Sequence, residues 1–106
     1  MSVLQITAQE LKSKLAKPDA ITLLDVRELD EYRTANLGGL HIPLSQLATR
    51  WNEVDQTREI VVMCHHGMRS LQAAQFLVDK GVSNVLNLRG GIDQWSLQID
   101  PNIPRY

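Results

Sequence analysis

The chain has 106 residues, 43% hydrophobic and 22% charged, with a net charge of −1. That length suits one domain with its own core and leaves no room for a second, so a single domain over residues 1–106 is expected. The balanced charge argues against a nucleic-acid binder or a disordered tail, and no apolar run approaches the ~20 residues of a membrane span.

Met1-Ser2-Val3-Leu4-Gln5 lacks the basic and then apolar regions of a secretory leader. A cytoplasmic location is therefore expected, in keeping with a single cysteine that can form no internal disulfide and has no resolving partner. Val3-Leu4-Gln5-Ile6 reads as a short strand. Thr7-Ala8-Gln9-Glu10 matches a capping box, with Ile6 and Leu11 placed as a hydrophobic staple, and predicts a helix that carries Leu11 and Leu15 on one face. Pro18 and Asp19 end it before the apolar run Ile21-Thr22-Leu23-Leu24-Asp25-Val26, suited to a buried strand. Glu28 to Ala35 suggests a short helix, and Gly38-Gly39 turns the chain into a brief strand, Leu40-His41-Ile42, closed by Pro43.

Ser45 is a candidate N-cap for a helix carrying Leu47 and Trp51, and Asn52 to Arg58 reads as a surface loop before the strand Glu59 to Met63. After Ser70, the spacing of Leu71, Ala74, Leu77 and Val78 predicts a helix that stops at Lys80-Gly81. Val85-Leu86-Asn87-Leu88 is the last strand, followed by Arg89-Gly90-Gly91 and a short helix through Trp95. The tail Asp100 to Tyr106 holds two prolines and should be irregular. Strands alternating with helices predict a mainly parallel α/β sheet covered on both faces.

The segment from Ile60 to Ser70 is the most informative, because an apolar strand ends on the only cysteine, Cys64, and turns at once into a helix. A free cysteine at a strand end is often only a small hydrophobe. Here a tight polar loop follows, at the carboxyl end of a strand, where ligands gather in open α/β sheets. Gly67 allows a positive φ, so successive N–H groups can curl around the sulfur as an anion-binding nest. The positive end of the following helix and Arg69 would favour the thiolate, the reactive form.

Three segments together resemble the rhodanese (sulfurtransferase) domain family. They are Leu24-Asp25-Val26-Arg27-Glu28 with Glu31-Tyr32, then Gly39-Leu40-His41-Ile42-Pro43-Leu44, then Leu88-Arg89-Gly90-Gly91-Ile92 with Trp95. Cys64-His65-His66-Gly67-Met68-Arg69 is similar to the family's active-site loop and lies in register between them. The resemblance implies a three-layer fold with a central, mainly parallel sheet of about five strands flanked by helices. It also implies that Cys64 accepts a sulfane sulfur as a persulfide and passes it on. The family often has Gly-His where this chain has Ala35-Asn36, and asparagine where His41 stands. Related dual-specificity phosphatases have a loop one residue longer than the four residues between Cys64 and Arg69 here. The shorter nest fits a terminal sulfur better than a phosphate.

Cys64 is thus the candidate nucleophile in a two-step displacement. Arg69 and the loop residues His65, His66, Gly67, Met68 and Ser70 would bind the donor or the persulfide, the histidines steering anions or moving protons. Asp25 and Arg27 are read as a bracing ion pair, and Glu31 as a rim residue. A zinc site from Cys64, His65 and His66 is disfavoured, since adjacent residues rarely converge on one ion, and neither metal nor cofactor is expected. Expected partners are a small sulfur donor such as thiosulfate and a thiol or cyanide acceptor, with thioredoxin or sulfur-relay proteins as alternatives, and neither nucleic acid nor membrane. Two rivals stand beside enzyme catalysis: a sulfur carrier loaded by a protein donor, and a phosphatase or arsenate reductase using the same nucleophile.

Overall fold

Branched aliphatic runs form the strands of a computed structural model that describes residues 3–106. Met1 and Ser2, part of the segment read for a leader, lie outside the described residues. The strands are β1 (Leu4–Ile6), β2 (Ile21–Asp25), β3 (Leu40–His41), β4 (Glu59–Met63) and β5 (Val85–Leu88). They pair in the order β1-β5-β4-β2-β3, and every pair is parallel. The sheet is therefore wholly parallel, and each step along it needs a crossover.

The helices are α1 (Ala8–Leu15), α2 (Leu29–Thr34), α3 (Leu47–Arg50), α4 (Met68–Asp79) and α5 (Gly91–Gln98). Thr7 and Glu10 form the expected capping box: the Thr7 hydroxyl accepts the Glu10 N–H at 3.1 Å, and the Glu10 carboxylate accepts the Thr7 N–H at 3.0 Å. α4 ends where Gly81 donates to the Val78 carbonyl at 2.9 Å and Val82 to the Leu77 carbonyl at 3.0 Å, the paired bonds of a Schellman motif. Two expectations need correction. α4 begins at Met68, inside the loop as read from sequence, because Gly67 serves as its N-cap. Ser45 caps nothing: it lies within a 3-10 turn, Leu44–Gln46, and α3 is one short turn followed by another 3-10 turn, Trp51–Glu53.

Strand alternation divides the apolar residues between two faces. Ile60, Val62 and Cys64 pack with Leu47, Ala74 and Leu77 of α3 and α4. Val61 and Met63 pack with Leu11, Ile92 and Trp95 of α1 and α5. From β2 the chain runs outward to β3 on one side, then returns to β4 and continues to β5 on the other. The carboxyl ends of β2 and β4 therefore send their loops apart at a switch point, the place where open α/β sheets bind ligands.

Leu77 is 0% exposed between helix and sheet, whereas Leu97 on α5 is 52% exposed. Leu77→Ala is expected to lower unfolding free energy by about 2–5 kcal/mol, as other buried leucine truncations do, and Leu97→Ala to change it by less than about 0.5 kcal/mol. Urea denaturation midpoints check both, and equal losses would contradict the packing described.

Candidate active site

β4 ends at Met63, and one further step of its alternation aims the Cys64 side chain at the α4 face. The chain must then reverse within a few residues. Gly67 makes this turn at φ +105° as the N-cap of α4, and its N–H donates to Cys64 Sγ at 3.0 Å. The opposite side of the loop is held by the start of α5. Ile92 donates its N–H to the Cys64 carbonyl at 2.9 Å, and Asp93 donates to the His65 carbonyl at 3.1 Å. A Cβ at Gly91 would lie 2.4 Å from both carbonyl oxygens, so only glycine lets α5 come this close. A trans peptide points its C=O and N–H in opposite directions, so the amides of His65 and His66 face away from α5. Met68, Arg69 and Ser70 open α4, where first-turn N–H groups have no partner in the helix.

The side chains of the expected binding residues separate into different roles. Met68 projects outward, 75% exposed. The Ser70 hydroxyl is buried and donates to Asn87 Oδ1 at 2.5 Å, while Asn87 Nδ2 donates to the Gly67 carbonyl at 3.1 Å. Ser70 therefore braces the loop from beneath, and only its backbone belongs to the helix end. Arg69 forms a two-pronged pair with Glu31 of α2, at 2.6 and 2.8 Å. Those bonds hold the Glu31 carboxyl down to about 2, well below its ordinary value.

Behind this pair sits Arg27, fully buried beside the carboxyl end of β2. It donates to Asp25 through Nε at 3.0 Å and Nη2 at 2.7 Å, to the Ala35 carbonyl at 2.6 Å and to the Glu31 carbonyl at 3.3 Å. Its last donor meets the Tyr106 hydroxyl at 2.8 Å, and that hydroxyl donates to Glu31 Oε2, also at 2.8 Å.

His65 lies between two rings, His66 at 3.9 Å and Tyr106 at 4.0 Å between centroids. Its Nε2 is buried without a partner, and burial, then the neighbouring His66, pushes its pKa down. Neutral imidazole is thus favoured at His65. His65, His66 and Asp93 bring ligand-type atoms within 4.8 Å of one another. Stacked rings direct their nitrogen lone pairs side by side rather than toward one point, and Asp93 is engaged by Arg105 at 2.9 Å, so the trio is poorly arranged for a metal.

The description "Rhodanese-like domain" matches residues 7–98. The chain belongs to the rhodanese-like domain family. Its wholly parallel five-stranded sheet with helices on both faces is the rhodanese fold. A "Putative sulfur carrier protein YrkF" of Bacillus subtilis (strain 168) is 35% identical over 96 residues, 90% of this chain and 52% of that protein. A "Thiosulfate sulfurtransferase GlpE" of Coxiella burnetii (strain RSA 331 / Henzerling II) is 32% identical over 83 residues, 77% of this chain and 78% of that one. A solved rhodanese-related protein of Thermoplasma volcanium superposes with a TM-score of 0.81 at 32% identity, covering 95% of each chain. The chain thus spans about half the length of YrkF, and these rhodanese relatives are named as a sulfurtransferase or a sulfur carrier. Among the described residues no helix is long and apolar enough to cross a membrane.

Departures from the usual rhodanese pattern have local structural uses here. Asn36 closes its turn by bonding the Tyr32 carbonyl and the Gly38 N–H, each at 2.9 Å. His41 stacks on Tyr32 and meets the Arg27 carbonyl at 2.6 Å. From sequence Glu31 reads as a rim residue with no partner named, and no pattern points to Asp93 or Tyr106. A polar residue inside the apolar run Val85–Leu88 was the one available signal, and it marked Asn87.

Glu31 titrates near 2 when folded, against 4.5 ordinarily, so its pairing stabilises fully above pH 4.5 and is lost as pH falls toward 2. With solvent screening at this partly exposed pair, the expected contribution is about 1–2 kcal/mol. Glu31→Gln should therefore show a smaller fall in stability than wild type between pH 6 and pH 2.5, read from urea midpoints. Parallel pH profiles for the two proteins would rule the pairing out as a source of stability.

Proposed function

We propose that this rhodanese-like domain is a sulfurtransferase in which the Cys64 thiolate takes a sulfane sulfur from a donor such as thiosulfate and hands it to a thiol or cyanide. The observation that carries this reading is the Gly67 amide, 3.0 Å from the sulfur of the only cysteine, at the switch point of the sheet. In the first displacement the Cys64 thiolate attacks the outer sulfur of thiosulfate. An S–S bond forms as the donor's S–S bond breaks, leaving Cys64–S–S⁻ and sulfite, which departs with the bonding pair. In the second, cyanide or a thiolate attacks the terminal sulfur, giving thiocyanate or a new persulfide and restoring the Cys64 thiolate. Charge balances in each step, and ping-pong kinetics follow.

The geometry supports distinct duties for the loop. Gly67 and the first-turn amides of α4 would hold the persulfide anion, and the inward-turned amides of His65 and His66 would add to the same field. Arg69 would exchange a Glu31 oxygen for an oxygen of the donor's sulfonate end. His66, exposed on the rim, would offer an N–H edge to incoming anions when protonated. Phosphate chemistry is less well served, because the four residues between Cys64 and Arg69 make a narrow nest. The name of YrkF favours a second reading, in which the domain is a carrier charged by a protein donor. A reducing cytoplasmic setting suits either reading, and so would relay partners such as thioredoxin.

Incubation with thiosulfate, followed by mass analysis of the peptide containing Cys64, should show one added sulfur, and steady-state assay with cyanide should show turnover. Sulfur loading only from a protein donor would replace the enzyme reading with the carrier. Aryl phosphate turnover lost in Cys64→Ser would replace both. Cys64→Ser is expected to lose sulfur transfer by about 10³-fold or more while remaining folded, and near-normal rates in that variant would refute the mechanism. Arg69→Ala removes a charge-assisted contact and should raise the thiosulfate KM roughly 10–100-fold, with a smaller effect on kcat. An unchanged KM would remove Arg69 from donor binding.

A further inference from the structure

Cys64 is 1% exposed, although the reaction proposed for it requires an attacking group to reach its outer side. The tail lies against the loop that carries Cys64, through Tyr106 on His65. Ile103 is partly buried against the α1 and α5 core, and its carbonyl accepts the Ser96 hydroxyl at 2.5 Å, which anchors the segment. Beyond Ile103 the character of the attachment changes. Among the described residues, no backbone hydrogen bond is made by Pro104, Arg105 or Tyr106. Two side chains do the holding: Arg105, paired with Asp93 at 2.9 Å on the surface, and Tyr106.

Tyr106 meets each part of the site entrance. Its ring lies flat on His65, the neighbour of Cys64, with 11° between the planes. Its hydroxyl accepts from Arg27 and donates to Glu31, the residue that grips Arg69. A phenol in this place closes the gap between the Cys64 loop and the β2–α2 loop. Yet the residue is 42% exposed, and both hydrogen bonds of its hydroxyl are ones that water can take over.

We propose that Arg105 and Tyr106 form a latch over the active loop, and that Tyr106 sets the size of the reactant admitted to Cys64. Small anions pass with little displacement of the latch, whereas a protein thiol needs it lifted about Pro104. This inference rests on Cys64 being the reacting thiol, but the latch itself can be read without any sulfur chemistry.

Because Cys64 is the only cysteine, alkylation reports on it alone. Rates are measured with iodoacetamide, a small reagent, and with a polyethylene-glycol maleimide, a bulky one, in wild type, Tyr106→Ala, Tyr106→Phe and Arg105→Ala. Tyr106→Ala should raise the bulky rate roughly tenfold relative to the small one, as expected for loss of a local closure. Tyr106→Phe, which keeps the ring on His65 but loses both hydroxyl bonds, should fall between it and wild type. Arg105→Ala should shift the ratio in the same direction, and it decides the matter if thermal melting shows that Tyr106→Ala is unfolded. An unchanged ratio, or equal acceleration of both reagents, would overturn the latch. Persulfide mass on the same wild-type sample keeps the two ideas apart: a shifted ratio without sulfur loading sinks the sulfurtransferase reading alone, and loading with an unchanged ratio sinks the latch alone.

Discussion

The buried pair of Asp25 and Arg27 is the constraint on which the site's geometry depends. Charges taken out of water cost several kcal/mol each, and removing one partner of such a pair typically costs about 3–5 kcal/mol because the other is left uncompensated. Arg27 meets that demand by using every N–H it has, on Asp25, the Ala35 and Glu31 carbonyls and the Tyr106 hydroxyl. Those partners come from the end of β2, from both ends of α2 and from the tail. α2 buries no residue of its own, so this polar knot, more than apolar packing, fixes where it lies. Glu31 then stands where Arg69 can reach it, and α2 and α4 are joined across the switch point.

A second constraint shapes the loop itself. α5 approaches so closely that its first N–H groups take the carbonyls of Cys64 and His65, an approach that Gly91 alone permits. Acceptors are thereby consumed on one side of the loop, and donors are left on the other. Asn87 completes the arrangement from beneath, holding the Gly67 carbonyl and the Ser70 hydroxyl where the loop enters α4, while the Gly67 amide points at sulfur. An excess of unpaired donors around a small polarisable atom stabilises negative charge there, whatever that atom carries.

Much of this was legible in the sequence where the cause is local. The capping box at Thr7, the stop at Lys80-Gly81 and the alternation that separates Ile60, Val62 and Cys64 from Val61 and Met63 all depend on residues near one another in the chain. The expectations that failed have both local and distant causes: Gly67, read as loop, caps α4 from the residue next to it. Ser45 has a capping residue's chemistry, but Pro43 and the packing of Leu47 leave it in a 3-10 turn. Ser70 has a ligand's chemistry, yet the strand beneath it supplies Asn87 and takes its hydroxyl. The tail is irregular, as its two prolines predict, but irregular segments carry no periodicity, so the return of Tyr106 to the site leaves no trace in pattern.

The pairing of Arg69 with Glu31 also bears on why a cation can stand at the wrong end of a helix. A guanidinium in the first turn of α4 opposes the helix dipole, and an unpaired one would be destabilising at rest. Glu31 offsets it while no anion is bound. In the proposed cycle the arriving donor and then the persulfide bring negative charge to the amides beside Arg69, and the need for Glu31 falls as that charge rises. The Glu31 carboxylate is free to lengthen its bonds because the Glu28 N–H at 3.1 Å and the Tyr106 hydroxyl still hold it. Resting and loaded states would then differ by a shift of partners at one arginine, without rearrangement of the sheet, and the Tyr106 hydroxyl lies on the one carboxylate whose bonds must change.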